Sequence, residues 1–278
     1  MSEFRLKQGM DLPVSGAPAQ IIHDAIAPKS VAVVGGDYIG LKPKMLVAEG
    51  DKVVRGTPLF CHKDAPNVMF TSPCKGRVRA IMRGARRVLQ SVIIDVDDLE
   101  DLGVDFGKLE KSAFKADRIR EVLQRSGLWN SFLTRPYSKM PLEDDAPAAI
   151  FVTAMESEPL APDASLVLSG QFDSFVMGVR AISELTQGKV YVSDIDDLPR
   201  VENHHFGGPH PSGLAGTHMH FLEAPSSSRT VWSIGYQDVI AIGQLLATGY
   251  INPGRVISIA GPLAINPRLV RTVSGVSL

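Results

Sequence analysis

The sequence predicts an α/β multidomain protein: an all-β module in the first hundred residues, followed by an α/β domain with a Rossmann-like layout. Three observations carry this. Between residues 30 and 96, short β-branched runs alternate with Gly, Pro and Asp. Beyond residue 107, strand-like and helix-like segments alternate, which is the pattern of a parallel sheet covered by helices. The 278 residues, 44% hydrophobic and 21% charged, suit two packed domains at roughly 100–200 residues each. The expected divisions are 1–100, 101–262 and the opening of a further region at 263–278.

The β module reads as about six strands: Val31-Ala32-Val33-Val34, Met45-Leu46-Val47, Lys52-Val53-Val54, Val68-Met69-Phe70, Arg77-Val78-Arg79-Ala80-Ile81 and residues 88–96. Within it, Val31-Ala32-Val33-Val34-Gly35-Gly36-Asp37-Tyr38-Ile39-Gly40 imitates the strand and turn of a dinucleotide fingerprint. The acidic Asp37 stands where a glycine should meet a pyrophosphate, and Pro43 stops the helix whose N-terminus should hold it. Dinucleotide binding is therefore not expected there.

A better account starts at Val47-Ala48-Glu49-Gly50-Asp51-Lys52-Val53-Val54-Arg55-Gly56-Thr57-Pro58-Leu59 and continues at Thr71-Ser72-Pro73-Cys74-Lys75-Gly76-Arg77-Val78. These stretches resemble the two turn elements of biotinyl/lipoyl-type barrel-sandwich domains, with Gly50 and Gly76 expected at positions of positive φ. Such carriers place a modified lysine, commonly beside Met, in the hairpin between the elements. Here the hairpin reads Cys61-His62-Lys63-Asp64-Ala65-Pro66-Asn67. Lys63 has no Met neighbour and is expected off the carrier register, so the module reads as a docking domain without a prosthetic arm.

In the second half, residues 116–126 put Ile119, Val122 and Leu123 on one helical face before Gly127, a fitting stop. Residues 148–155 form a buried strand, 172–186 an amphipathic helix and 189–193 a strand. Residues 230–234, 238–248 and 255–260 are expected to repeat the strand–helix–strand order in the same sheet.

Composition excludes several functions. Lys plus Arg total 29 against 30 Asp plus Glu, so no global field attracts nucleic acid, and no nucleic-acid partner is expected. The small cluster Arg83, Arg86 and Arg87 reads as a solvated hairpin end. Two cysteines, Cys61 and Cys74, cannot by themselves build a four-thiolate iron–sulfur or zinc site, and they read as free core thiols. No apolar run reaches membrane-spanning length and residues 1–7 lack a secretory h-region, so a soluble, cytoplasmic chain is expected. No nucleophile elbow, phosphate loop or H-E-x-x-H helix appears, and no catalytic residue is assigned.

Two segments carry more unusual chemistry. In residues 127–141, Trp129, Phe132 and Tyr137 supply rings, while Arg135, Tyr137 and Lys139 supply donors in a Pro-stiffened loop that can stack on a flat ligand. Residues 204–221 hold five of the seven histidines. His218 and His220 at i, i+2 would face one way on a strand, which is a two-ligand metal geometry. Without a thiolate or carboxylate pattern beside them, the expectation is a rigid Gly/Pro loop lining a pocket or an interface, with His210 or His218 facing the 129–139 loop, and no metal.

Glu49-Gly50-Asp51, Arg87-Val88-Leu89-Gln90-Ser91-Val92, Ser126-Gly127-Leu128-Trp129, Thr134-Arg135-Pro136-Tyr137-Ser138-Lys139, the string from Gly207-Gly208-Pro209-His210-Pro211 to Gly216-Thr217-His218, and Tyr236-Gln237-Asp238-Val239-Ile240-Ala241-Ile242-Gly243 together resemble the A-subunit family of the sodium-translocating NADH:quinone oxidoreductases. The likeness runs over the whole chain. It implies a peripheral subunit on the cytoplasmic side of the bacterial inner membrane, partnered with the other subunits and especially the membrane ones. The complex uses flavins, an iron–sulfur centre, NADH and ubiquinone. The α/β domain would be similar to the NADH- and FMN-binding subunit of complex I, and β-grasp and helical domains would follow position 278. Where that relative has a glycine-rich flavin loop, this chain has Arg125-Ser126-Gly127-Leu128-Trp129-Asn130, with Trp129 expected to exclude the flavin. The resemblance thus implies a cofactor-free subunit that contributes to quinone binding, and the rings and donors of Trp129, Phe132, Arg135, Tyr137, Lys139, His210 and His218 are the residues expected to hold the quinone. The alternative is a stand-alone soluble flavin- or metal-dependent oxidoreductase.

Overall fold

The structure, a computed structural model, describes residues 2–277. The N-terminal half contributes β1 (Ser2–Arg5), β2 (Ala19–Asp24), β3 (Ser30–Val34), β4 (Pro43–Met45), β5 (Lys52–Val53), β6 (Pro58–His62), β7 (Ala65–Thr71), β8 (Lys75–Arg83) and β9 (Leu89–Asp98). There follow α1 (Ala116–Ser126), β10 (Leu133–Arg135), β11 (Ala149–Thr153), α2 (Ala164–Leu168), α3 (Phe172–Ile182), β12 (Lys189–Ser193) and β13 (Glu202–Gly207). The chain continues through α4 (Ala215–Leu222), β14 (Val231–Gly235), α5 (Tyr236–Thr248), β15 (Gly254–Ile259) and β16 (Arg268–Val273).

Strands β3 to β9 make the barrel sandwich, a four-stranded sheet β3-β9-β8-β5 facing a three-stranded sheet β4-β6-β7. Leu59, Phe60, Val68, Phe70, Val78, Val92 and Ile94 fill its core, and Phe60 stacks on Phe70 at 4.5 Å. Gly50 has the expected positive φ of 92°. Gly76 does not. It lies within β8 against β9, where a Cβ would stand 2.0 Å from the Asp95 carbonyl oxygen, so close backbone approach rather than a left-handed turn demands glycine. Lys63 also departs from expectation, because residues 63–64 form the two-residue turn joining β6 to β7. It therefore occupies the hairpin tip, and only its neighbours, His62 and an Asp64 paired with Lys42 at 2.8 Å, distinguish it from a carrier lysine.

The α/β sheet has the order β1-β13-β12-β11-β14-β10, parallel throughout except for β10. Alternation along β11 explains its two buried faces. Ile150 and Val152 join the main core with α1, α3 and α5, while Ala149 and Phe151 join Tyr191, Val231 and Met219 of α4 on the other side. Helices α3 and α5 cross on glycines: a Cβ on Gly243 would meet the Ser174 carbonyl oxygen at 1.8 Å, and one on Gly178 the Val239 carbonyl oxygen at 2.1 Å.

Two connections depart from the sequence reading. Strand β1, from the extreme N-terminus, pairs with β13 and so belongs to the α/β sheet. Residues 255–260 do not extend that sheet. Strand β15 pairs antiparallel with β16, which runs parallel to β2, in a separate three-stranded sheet. Strand propensity identifies such a segment but carries no information about its partner.

Candidate functional site

The 129–139 segment is built inward. Helix α1, with Asp117 in its first turn and Arg125 in its last, ends at Gly127 in the left-handed conformation (φ 86°). A 3-10 turn, Leu128–Ser131, then swings Trp129 and Phe132 into the core. Both side chains are fully buried. Trp129 packs edge-on against Trp232 at 5.2 Å and Phe132 at 5.7 Å, and its indole N–H donates to the Pro141 carbonyl oxygen at 3.1 Å. The Arg120 guanidinium lies 4.9 Å from the ring centroid. The expectation that these two rings stack on a quinone is corrected, because an aromatic closed off by its own core has no face to offer. Arg135 is half-buried and donates to the Ser138 hydroxyl, while Tyr137 and Lys139 are exposed.

The histidine segment is corrected too. His204 and His205 lie on β13, and His218 and His220 lie on helix α4, where an i, i+2 spacing turns two side chains to different faces. His218 is buried against Phe206 at 3.9 Å, with Nε2 2.7 Å from the Ser212 carbonyl oxygen, and burial pushes its pKa down to about 4. His210 is engaged elsewhere, with Nδ1 3.0 Å from the Ser157 hydroxyl. In the sheet order β13 and β10 are separated by three strands, roughly 19 Å at the usual spacing, so His218, stacked on β13, does not face the 129–139 loop. Among the described residues, no group of three or more His, Cys, Asp or Glu side chains could hold a metal ion. Cys61 and Cys74 are free and buried.

A cleft of about 480 Å³ forms instead where the barrel sandwich, the α/β domain and the third sheet meet. Val33 and Tyr38 line it from the barrel, Leu128 and Ser131 from the turn after α1, Asp238 from the first turn of α5, and Ile251, Arg255 and Val276 from the third-sheet side. Tyr38 stands edge-on to Phe70 at 4.7 Å. Burial, with the Asp37 and Asp238 carboxylates adding to it, pushes its phenol up to about 12. Arg255 pairs with Asp238 at 2.5 Å, and the Ser131 hydroxyl donates to the same carboxylate oxygen at 3.1 Å. The sequence reading passed over Tyr38, Asp238 and Arg255 as site residues. Tyr38 follows directly on the rejected Gly35-Gly36-Asp37 turn, the one local signal that could have drawn attention to it.

Beyond the carboxyl end of β11, at the edge of a second cavity, burial followed by the neighbouring Glu158 carboxylate raises the Glu156 pKa to about 7. Among the described residues no lysine or arginine lines that cavity.

A barrel-sandwich module joined to an α/β domain whose sheet is parallel except for β10, with a cleft between them, defines a protein of two packed domains. Family models place it further. The NqrA N-terminal barrel-sandwich hybrid domain matches residues 4–97, and the NqrA second alpha/beta domain matches residues 114–251. The chain belongs to the NqrA family. It is 47% identical over 278 residues to the A subunit of the Na(+)-translocating NADH-quinone reductase of Shewanella amazonensis. It is 49% identical over 282 residues to the corresponding protein of Vibrio vulnificus, and 45% over 281 to that of Histophilus somni. Each alignment covers 98% of this chain, and the chain spans about 63% of the length of these relatives. Among the described residues no helix is long and apolar enough to cross a membrane.

Proposed function

We propose that the chain is a peripheral, cofactor-free subunit of a sodium-pumping NADH:quinone oxidoreductase, contributing to quinone binding and to assembly of the complex. The observation that carries this reading is the pair of NqrA domains, in order on one chain, together with relatives that bear the name of the reductase's A subunit. In this reading its partners are the other subunits, the membrane ones above all, and ubiquinone. It sits on the cytoplasmic face of the inner membrane. The α/β domain is a structural cousin of the NADH/FMN-binding subunit of complex I, and β-grasp and helical domains follow in the whole protein.

The residues of this chain do not fit the redox groups of the complex. An iron–sulfur cluster needs more thiolates than buried Cys61 and Cys74 supply. A flavin phosphate needs spare cations or free backbone N–H groups, and the interdomain cleft sets Asp37 and Asp238 against a single, already paired Arg255. Electron transfer then belongs to other subunits. This chain's share is to bind, orient and hold. The test is to mix the purified chain with the detergent-solubilised remaining subunits and follow co-elution, flavin absorbance and NADH oxidation. Co-elution of a colourless chain, inert towards NADH, is expected. A yellow chain that oxidises NADH alone would replace this reading with the stand-alone oxidoreductase.

A further inference from the structure

We propose that the interdomain cleft, and not the 129–139 loop, holds the quinone ring, with the Tyr38 hydroxyl as donor to a quinone carbonyl oxygen. The proposal rests on the quinone-handling role given to this chain above and goes on to place the ligand.

A quinone ring needs apolar cover for its faces and one or two donors for its oxygens. The loop fails the first requirement, since Trp129 and Phe132 are sealed in the core and only Tyr137 remains in the open. The cleft meets it with Val33, Leu128, Ile251 and Val276, and with Phe70 behind Tyr38. For the second, the hydroxyls lining the cleft can be accounted for one by one. Thr71 donates to the Ser126 carbonyl oxygen, Ser72 to that of Cys74, Ser126 to that of Leu123, Ser131 to Asp238 and Ser274 to the Pro253 carbonyl oxygen. Tyr38 is the one lining hydroxyl, among the described residues, with no hydrogen-bond acceptor in the protein. With its pKa near 12 it stays a protonated donor throughout the physiological range.

Charge selects among flat ligands. The cleft's charged side chains are Asp37, Asp238 and Arg255, and the last is taken by Asp238 at 2.5 Å. A phosphate would meet a net negative wall, whereas a neutral ring meets none. Because the lining comes from the barrel sandwich, from the α1 turn and α5 of the α/β domain, and from the β15–β16 sheet side, a bound ring touches all three at once, so occupancy should also raise the midpoint of thermal unfolding.

Calorimetric titration of the 278-residue chain with ubiquinone-1 tests the placement. Tyr38→Phe keeps the ring on Phe70 and removes only the donor, so it should weaken binding about three- to tenfold. Val34→Trp, at an exposed lining position on the rim, should abolish measurable binding. A triple Arg135→Ala, Tyr137→Ala, Lys139→Ala variant should bind like wild type. Far-UV circular dichroism reports that each variant is folded. If wild type binds but both cleft variants bind equally well, the placement is wrong while the quinone-handling role stands. If wild type fails to bind at all, the quinone role falls with the placement, and co-elution with the other subunits measures the assembly role separately. Displacement of ubiquinone-1 by tighter-binding FMN would overturn the assignment of a neutral ring.

Discussion

Replacing Trp129 separates a core residue from a ligand-binding one. The side chain is fully buried, packs on Trp232 and Phe132, and donates its indole N–H to the Pro141 carbonyl oxygen. Truncation to alanine removes a large aromatic from a site walled by Trp232 of β14, Phe132 and Arg120 of α1, which costs about 3–5 kcal/mol for a Trp or Phe deletion. That is a large share of the about 5–15 kcal/mol that holds a typical domain folded. Trp129→Phe is milder: it keeps most of the ring and strands the Pro141 carbonyl oxygen, at about 1–3 kcal/mol. Urea unfolding followed by far-UV circular dichroism reads both. At about 2 kcal/mol per molar urea, the alanine variant should lose about 2 M in midpoint and the phenylalanine variant about 1 M. Tyr137→Ala, at a position 65% exposed, should stay within about 0.5 kcal/mol of wild type. A Trp129→Ala protein as stable as wild type but unable to bind quinone would refute the reasoning and restore the loop as the ligand site.

His218 should make stability depend on pH. Its folded pKa, about 4, lies below the ordinary 6.5 because burial disfavours the imidazolium. The unfolded chain therefore takes up the proton first, so its contribution is fully present above pH 6.5 and is lost as pH falls from 6.5 through 4, by about 3 kcal/mol. His218→Gln should remove that dependence, so the difference between the two proteins' unfolding free energies should change by about 3 kcal/mol across that window, and parallel wild-type and variant curves would show that the site is not titrating. At the other end of the molecule, the Lys63 turn should carry no lipoyl or biotinyl group. Intact-mass measurement of the chain should return its sequence mass, and an added mass matching either arm would make the barrel sandwich a carrier domain.

Legibility differs between elements for physical reasons. Helix α1 and strand β12 were readable to the residue, since a three-to-four period ending at Gly127 and a β-branched run after Gly188 are local signals. Strands β1 and β2 were not. Ser2-Glu3-Phe4-Arg5 has no apolar run, and it is a strand because β13, some two hundred residues later, supplies the hydrogen bonds. His218 and His220 were misread for a related reason. Spacing two apart is meaningful only once helix or strand is decided, and eight residues containing Gly216 give a weak period either way.

The site shows the same limit more sharply. Aromatic residues beside cations in a Pro-rich loop can signify a stacking platform or a short turn folding its rings inward, and the composition is identical in both cases. What decides is whether a cavity exists beneath the loop, and here Trp232 on β14 fills it. The cleft is the converse case. Tyr38 and Asp238 are two hundred positions apart, and each alone reads as an ordinary turn residue or an acidic residue in a helix's first turn. They converge only because the barrel sandwich docks beside the N-terminus of α5 while residues 251–255 and 274–276 close the third side. A cleft lined from the barrel, from the helix ends of the α/β domain and from the β15–β16 sheet side leaves no periodic trace in any of them, so it becomes readable only at the level of domain packing.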